Sequence, residues 1–196
     1  MRQRFPPPVS NSKRGRPRPS RHLLHGVAAW GRTFCSEDST GKFSCLTGDC
    51  GSGKLECSGG GAAPQATLAE FKLDGYGGMD YFDVSLVHGY NLPLLVVPQG
   101  GSGQNCSRTG CVVDLNGSCP SELKVTSSAG DGVACKSSCE AFRQPQYCCT
   151  GAYYTPDTCK PSSYSEMFKS ACPHAYSYAA EASSSKDIHD SQQLSA

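Results

Sequence analysis

Apolar and polar residues alternate in two short stretches near the middle of the chain. Over Thr67–Leu73, the residues Thr67, Ala69, Phe71 and Leu73 fall on one side and Leu68, Glu70 and Lys72 on the other. Over Tyr81–Val87, Phe82, Val84 and Leu86 stand against Tyr81, Asp83, Ser85 and Val87. A period of two is that of a strand with one buried face. The intervening Asp74-Gly75-Tyr76-Gly77-Gly78 is rich in turn formers, so the two strands are expected to form a hairpin or to lie side by side. Further on, Ser137-Ser138-Cys139-Glu140 and Ser163-Tyr164-Ser165-Glu166 each set a serine three residues ahead of a glutamate, the spacing of a capping box. Two short helices are expected there, the second stopped by Pro173.

The chain has 196 residues, 37% of them hydrophobic, enough for one domain with tails. Its apolar runs, such as Leu92–Val97 interrupted by Pro93, fall far short of the ~20 residues that span a bilayer, so no membrane partner is expected. The 13 cysteines change the picture most, because all lie between Cys35 and Cys172. Such density suits a disulfide scaffold made in an oxidising compartment and argues against a cytosolic enzyme. Zinc is the rival use of so many thiols. There is no C-x-x-C pair, and Cys45/Cys50 and Cys106/Cys111 lack histidines at finger spacing, so neither a metal nor a cofactor is expected.

Charge divides the chain in the same place. Residues 1–34 hold eight of the 18 Lys and Arg and none of the 17 Asp and Glu, a basic leader ahead of an acidic body. Residues 1–29, with a triple proline and scattered arginines, cannot bury enough apolar surface to offset their ordering entropy, and disorder is expected. No apolar core of a secretory signal is visible in them. Lys13-Arg14-Gly15-Arg16-Pro17 resembles the core of an AT-hook, but so short a match does not make nucleic acid the expected partner.

One stretch is more specific. Gly41-Lys42-Phe43-Ser44-Cys45-Leu46-Thr47-Gly48-Asp49-Cys50, continuing to Cys57, resembles the signature of the thaumatin-like, pathogenesis-related group 5 plant proteins. WGRTFC before it, TLAEF, DYFDVSLVHGYNLPLLV, CEAFRQPQYCC and PSSYSEMFKSACPHAYSY after it resemble the same family, covering Trp30–Tyr178. The resemblance implies a mainly β fold, a thaumatin-like β-sandwich with disulfide-rich loop and short-helix subdomains. The chain then divides into the leader 1–29, a domain 30–178 and a divergent polar tail 179–196. Within the domain, 30–66 is a disulfide hairpin subdomain, 67–111 carries the sandwich strands and 112–172 is a disulfide-rich helical subdomain. It also implies the pairs Cys35–Cys45, Cys50–Cys57, Cys111–Cys172, Cys119–Cys135, Cys139–Cys148 and Cys149–Cys159, with Cys106 left as a free thiol. The family's opening and closing strands have no counterpart in the sequence, so the sandwich is expected to be incomplete.

The resemblance further implies an acidic cleft, used by some members to bind or slowly hydrolyse β-1,3-glucan. Glycoside hydrolysis needs one carboxyl that is protonated and one that is ionised, set about a single bond. Glu70 and Asp83 occupy the family's first two acidic positions and are the candidate catalytic pair. His88 stands in place of the third acid, the fourth falls near Glu181, and the family's cleft arginine falls at Ala28. Outside the resemblance, Glu70 and Asp83 read equally well as solvated carboxylates on a strand face, and His88 as a turn residue. Tyr76, Tyr81, Tyr90, Tyr153 and Tyr154 are candidates for stacking on sugar rings, although tyrosine in a strand or loop is ordinarily packing. Asn105 and Asn116 open glycosylation sequons.

The expected function is therefore that of a secreted, apoplastic, antifungal defence protein. It would bind fungal cell-wall β-1,3-glucan as a monomer, with at most weak endo-β-1,3-glucanase activity. The alternatives are a non-catalytic inhibitor with a glycosidase as partner, an extracellular recognition module, or a truncated form without function.

Overall fold

The computed structural model describes residues 27–63, 65–73, 80–99, 107–181 and 192–194. Lys13–Pro17, Tyr76, Asn105 and Cys106 lie outside them. The two alternating stretches are strands β4 (Leu68–Lys72) and β5 (Asp80–Ser85), paired antiparallel with Ala69 opposite Val84, Phe71 opposite Phe82 and Glu70 opposite Asp83. The pattern excludes the neighbouring registers: sliding one strand by a residue would bring its polar face to the core. Ala69, Phe82, Val84 and Leu86 are buried, and Glu70 and Lys72 are exposed on the other face.

Both outer edges of this pair are occupied by the chain itself. Strand β1 (Val27–Trp30) runs antiparallel to β4, with Ala28 opposite Glu70 and Trp30 opposite Leu68. Strand β10 (Gln192–Leu194) runs antiparallel to β5, giving a four-stranded sheet in the order β1-β4-β5-β10. This corrects two expectations. The leader does not extend to residue 29, because the small apolar run Val27-Ala28-Ala29 already adds to the sheet, and the polar tail is not excluded from it. Edge pairing uses backbone groups and asks little of side-chain type, so neither strand stands out in the sequence.

The 30–66 segment is built on β2 (Thr33–Glu37) and β3 (Phe43–Thr47), an antiparallel ribbon in which Cys35 and Cys45 are directly opposed and bridged. The Cys50–Cys57 bridge closes the loop that follows. A short ribbon of β6 (Leu94–Val96) and β7 (Thr109–Cys111) packs against β5, and β8 (Lys124–Thr126) pairs with β9 (Gly132–Cys135). Beyond these lie α1 (Ser138–Phe142), α2 (Pro145–Cys148) and α3 (Ser163–Ala171).

Ser137 caps α1 as expected, its hydroxyl accepting the Glu140 N–H, while the Glu140 carboxylate turns to Arg143 at 3.1 Å. The cap of α3 sits one residue earlier than the spacing predicts. Ser162 and Ser165 bond reciprocally, at 3.2 and 2.8 Å, and Glu166 is left exposed in the first turn. A serine hydroxyl at the third helical position performs the same return bond as a glutamate, and this start places Phe168 in the core.

Six disulfides join the same cysteine pairs that the family resemblance implies. Two of them, Cys111–Cys172 and Cys119–Cys135, pass through the main core beside Val84, Leu86, Tyr90, Leu123 and Phe168. In the turn after β5, Gly89 lies at φ +98°, and a Cβ there would come within 2.5 Å of the Cys135 carbonyl oxygen. Close approach at Gly89 lets the next residue, Tyr90, exchange two 2.8 Å backbone bonds with Cys135.

Asn91 follows and joins three segments that are distant in sequence. Its Oδ1 accepts the Thr67 N–H at 3.0 Å, and its Nδ2 donates to the Gly31 carbonyl at 3.0 Å and to Thr47 Oγ1 at 2.9 Å. The disulfide ribbon, the start of β4 and the turn after β5 are fixed to one another by this buried amide.

Candidate functional site

Three residues form a row across the polar face of the sheet. Ala28 on β1 is opposite Glu70 on β4, which is opposite Asp83 on β5. The two candidate acids are thus cross-strand neighbours, whose Cβ atoms lie about 4.5–5.5 Å apart in such a pair. Their surroundings differ. Glu70 is exposed, whereas Asp83 is half-buried and its Oδ2 is enclosed without a hydrogen-bond partner among the described residues. Burial, and secondarily the charge of Glu70, push the Asp83 carboxyl up to about 7.

Asp83 faces a small open recess whose other walls are Thr109, Lys169, Pro173, His174, Ala175 and Tyr176. The segment after α3 reaches β5 through backbone bonds: Tyr176 N–H donates to the Val84 carbonyl at 2.9 Å, and Leu86 N–H donates to the Tyr176 carbonyl at 2.7 Å. The bridge between Gly110 and His174 brings β7 to the same place. The recess therefore joins the last turn of α3, the chain after it, and two strands.

Glu181 enters this arrangement in a different role from a free cleft acid. Its Oε1 lies 2.6 Å from Lys169 Nζ, and its Oε2 accepts from the Ser177 N–H and hydroxyl at 2.7 and 2.9 Å. The carboxylate closes the turn 177–181 and counters the lysine that lines the recess. His88 is exposed in the turn after β5, is not part of the recess wall, and serves through its backbone carbonyl, which accepts the Gln65 N–H at 2.8 Å. Ala28 brings no cation to the row, and Arg32 is committed elsewhere, stacked 4.9 Å from the Phe43 ring centre and donating to the Lys54 and Leu55 carbonyls. Asn116 turns its amide inward: Nδ2, the atom a glycan would occupy, donates to the Asn91 carbonyl at 3.0 Å.

The arrangement has two carboxyls on one sheet face, one shielded from water and one open to it, beside a polar recess. It can accept hydrogen bonds from hydroxyl groups through Glu70 and donate one from protonated Asp83 near neutral pH. The polar face that Glu70 and Asp83 share is legible in the alternation of the two strands, and their direct opposition is not, because a two-residue slip would keep the same faces. Lys169, His174, Thr109 and Tyr176 are not, because their approach to Asp83 depends on how the segment after α3 docks on β5. Lys169 read alone is a cation in the last turn of a helix.

The thaumatin family model matches residues 20–194. Thaumatin-like protein 1 of Pyrus pyrifolia is 56% identical over 156 residues, covering 80% of this chain and 64% of that protein. A glucan endo-1,3-beta-glucosidase of Prunus avium is 55% identical over 150 residues, 76% of this chain and 61% of that protein. The solved thaumatin-like xylanase inhibitor TLXI is 32% identical, covering 48% of this chain and 68% of that one, with a TM-score of 0.29. The chain thus spans a little under two thirds of the length of the two curated relatives. The mainly β fold, the landmarks running from Trp30 to Tyr178 and the match over residues 20–194 place this chain in the thaumatin family.

Proposed function

We propose that this chain is an extracellular defence protein that binds β-1,3-glucan at the Glu70–Asp83 row and the adjoining recess, with weak or no hydrolysis. The observation that carries the reading is the in-register pair of carboxyls with unequal exposure. A sugar chain over this face meets an exposed carboxyl acceptor in Glu70 and, up to about pH 7, a carboxylic acid donor in Asp83. The similarity to a glucan endo-1,3-beta-glucosidase supports the choice of ligand, and six disulfides suit an oxidising, extracellular compartment.

Binding is favoured over cleavage for a geometric reason. Hydrolysis needs two carboxyl groups flanking one glycosidic bond, whereas Glu70 and Asp83 are side-by-side neighbours on one sheet face. The row also lacks a cation at residue 28 to orient the ionised partner.

Sedimentation with insoluble β-1,3-glucan tests the reading. The wild-type chain is expected in the pellet, with Glu70→Gln and Asp83→Asn each reducing retention, and release of soluble oligosaccharide is expected to be slow or absent. Retention unchanged in the Glu70→Gln/Asp83→Asn double variant would remove the row from the binding site.

A further inference from the structure

Of the five tyrosines that the sequence offers as sugar-stacking candidates, the four among the described residues are sorted by the structure. Tyr90 is buried, its hydroxyl donating to the Val113 carbonyl at 2.9 Å, and Tyr81 is half-buried on β5. Tyr153 and Tyr154, by contrast, stand 39% and 75% exposed on the loop between α2 and α3.

That loop is held firmly. The Cys149–Cys159 disulfide closes it, and Cys159 is itself buried. Thr150 N–H donates to the Pro145 carbonyl at 3.1 Å, and Tyr153 N–H donates to the Thr150 carbonyl at 3.0 Å, forming a 3-10 turn over Gly151–Tyr153. On the far side, the hydroxyls of Thr155 and Thr158 meet at 2.8 Å, and Cys159 N–H donates to the Thr155 carbonyl at 2.8 Å. The tyrosines are therefore displayed on an ordered backbone. Exposed rings contribute little to folding, and a ligand meeting them faces little further ordering cost.

We propose that this loop is a second carbohydrate contact, in which the rings of Tyr153 and Tyr154 stack on pyranose units of a β-linked glucan. The inference rests on the glucan reading above and adds a contact on an element separate from the Glu70–Asp83 row. A pyranose with equatorial hydroxyls offers a face of C–H groups that matches the negative face of an aromatic ring, while its hydroxyls match the phenol and threonine oxygens. Charge agrees with a neutral ligand, since the loop carries Asp157 and is followed by Lys160, one of each sign. Two rings on so short a loop fall well below the roughly 800 Å² per partner of a stable protein interface. A membrane surface would call for a cluster of Lys and Arg that the loop lacks.

The test compares Tyr153→Ala/Tyr154→Ala, Tyr154→Trp and Glu70→Gln/Asp83→Asn with the wild-type chain on insoluble β-1,3-glucan. Alongside it, a laminarin-oligosaccharide titration follows the ring resonances of Tyr153 and Tyr154 by NMR. Expected are ring shifts on titration, about tenfold weaker retention of the double alanine variant, and undiminished retention of Tyr154→Trp. Wild-type retention that is lost in the carboxyl variant but unchanged in the double alanine variant, with still ring signals, would overturn the loop contact and leave the row in place. Failure of the wild-type chain to bind, with no ring shift, would overturn both. An unchanged amide spectrum in the loop variants confirms that the fold is intact.

Discussion

Replacing Asp83 with asparagine should alter how stability depends on pH. In the folded chain the Asp83 carboxyl titrates near pH 7, against an ordinary aspartate value of 3.8, because burial withdraws it from water and Glu70 lies opposite. Below about pH 4 it is protonated in both states and costs nothing. As pH rises from 4 to 7, the unfolded chain releases the proton while the folded chain holds it, so folding stability falls over that window and levels off above it. A difference of about three units corresponds to at most about 4 kcal/mol, at 1.36 kcal/mol per unit. The carboxylates held below their ordinary range act elsewhere on the pH scale. Asp49, which accepts the Cys45 and Gly51 N–H groups, and Asp38, bonded to Thr40 and Lys42, withdraw stability only as pH falls below about 4. The assay is urea unfolding with disulfides intact, at half-unit steps from pH 3 to 8, for wild type and Asp83→Asn. The wild-type curve should decline between pH 4 and 7, and the variant curve should stay nearly flat there and lie above it at pH 7. Ala28→Arg, which sets a cation opposite Glu70 and offsets the lesser cause of the shift, should move the decline slightly lower. Parallel wild-type and Asp83→Asn curves, with equal m-values, would refute the assignment of a raised Asp83 pKa.

Other consequences follow from single positions. Asn91→Ala should destabilise by roughly 3–5 kcal/mol, because the Thr67 N–H and the Gly31 carbonyl lose their partner together and Thr47 Oγ1 keeps only Thr33, and equilibrium unfolding measures it. Gly89→Ala should cost about 2 kcal/mol or more, since it meets both the positive φ and the Cys135 carbonyl; a stability change within 0.5 kcal/mol would show that the turn can relax. Phe34 sits at φ +52° and is 63% exposed, so Phe34→Gly should be neutral or stabilising by up to about 1 kcal/mol despite removing a large apolar group.

Alternation of one residue in two carried far in this chain. It located β4 and β5, their buried face and the polar face that Glu70 and Asp83 share, because a one-residue slip that misplaced Phe82 or Val84 would expose the core. The edge strands β1 and β10 escaped it, since backbone pairing leaves little trace in side-chain type. The α3 cap was displaced by one residue because Ser162, Ser163 and Ser165 all carry the needed hydroxyl. The recess beside Asp83 was invisible for a different reason. Lys169 and His174 lie some 90 residues from Asp83 in sequence, and no local pattern reports a docking made by the Tyr176 backbone. Asn91 likewise reads as an ordinary turn residue until its three partners are seen together.

The six bridges are not equally accessible. Cys111, Cys172 and Cys135 are 1%, 2% and 0% exposed, whereas Cys35 lies on the surface and Cys45, Cys50 and Cys57 are partly open. A reductant in solution therefore reaches the ribbon of residues 33–57 without any unfolding, but reaches Cys111–Cys172 only after the buried core around it has opened. Thiol attack on this chain is accordingly graded. The outer ribbon can lose its covalent closure while the Asn91 amide still anchors Thr47, and the bridge joining β7 to the end of α3 behaves as a kinetic lock that opens only with the core.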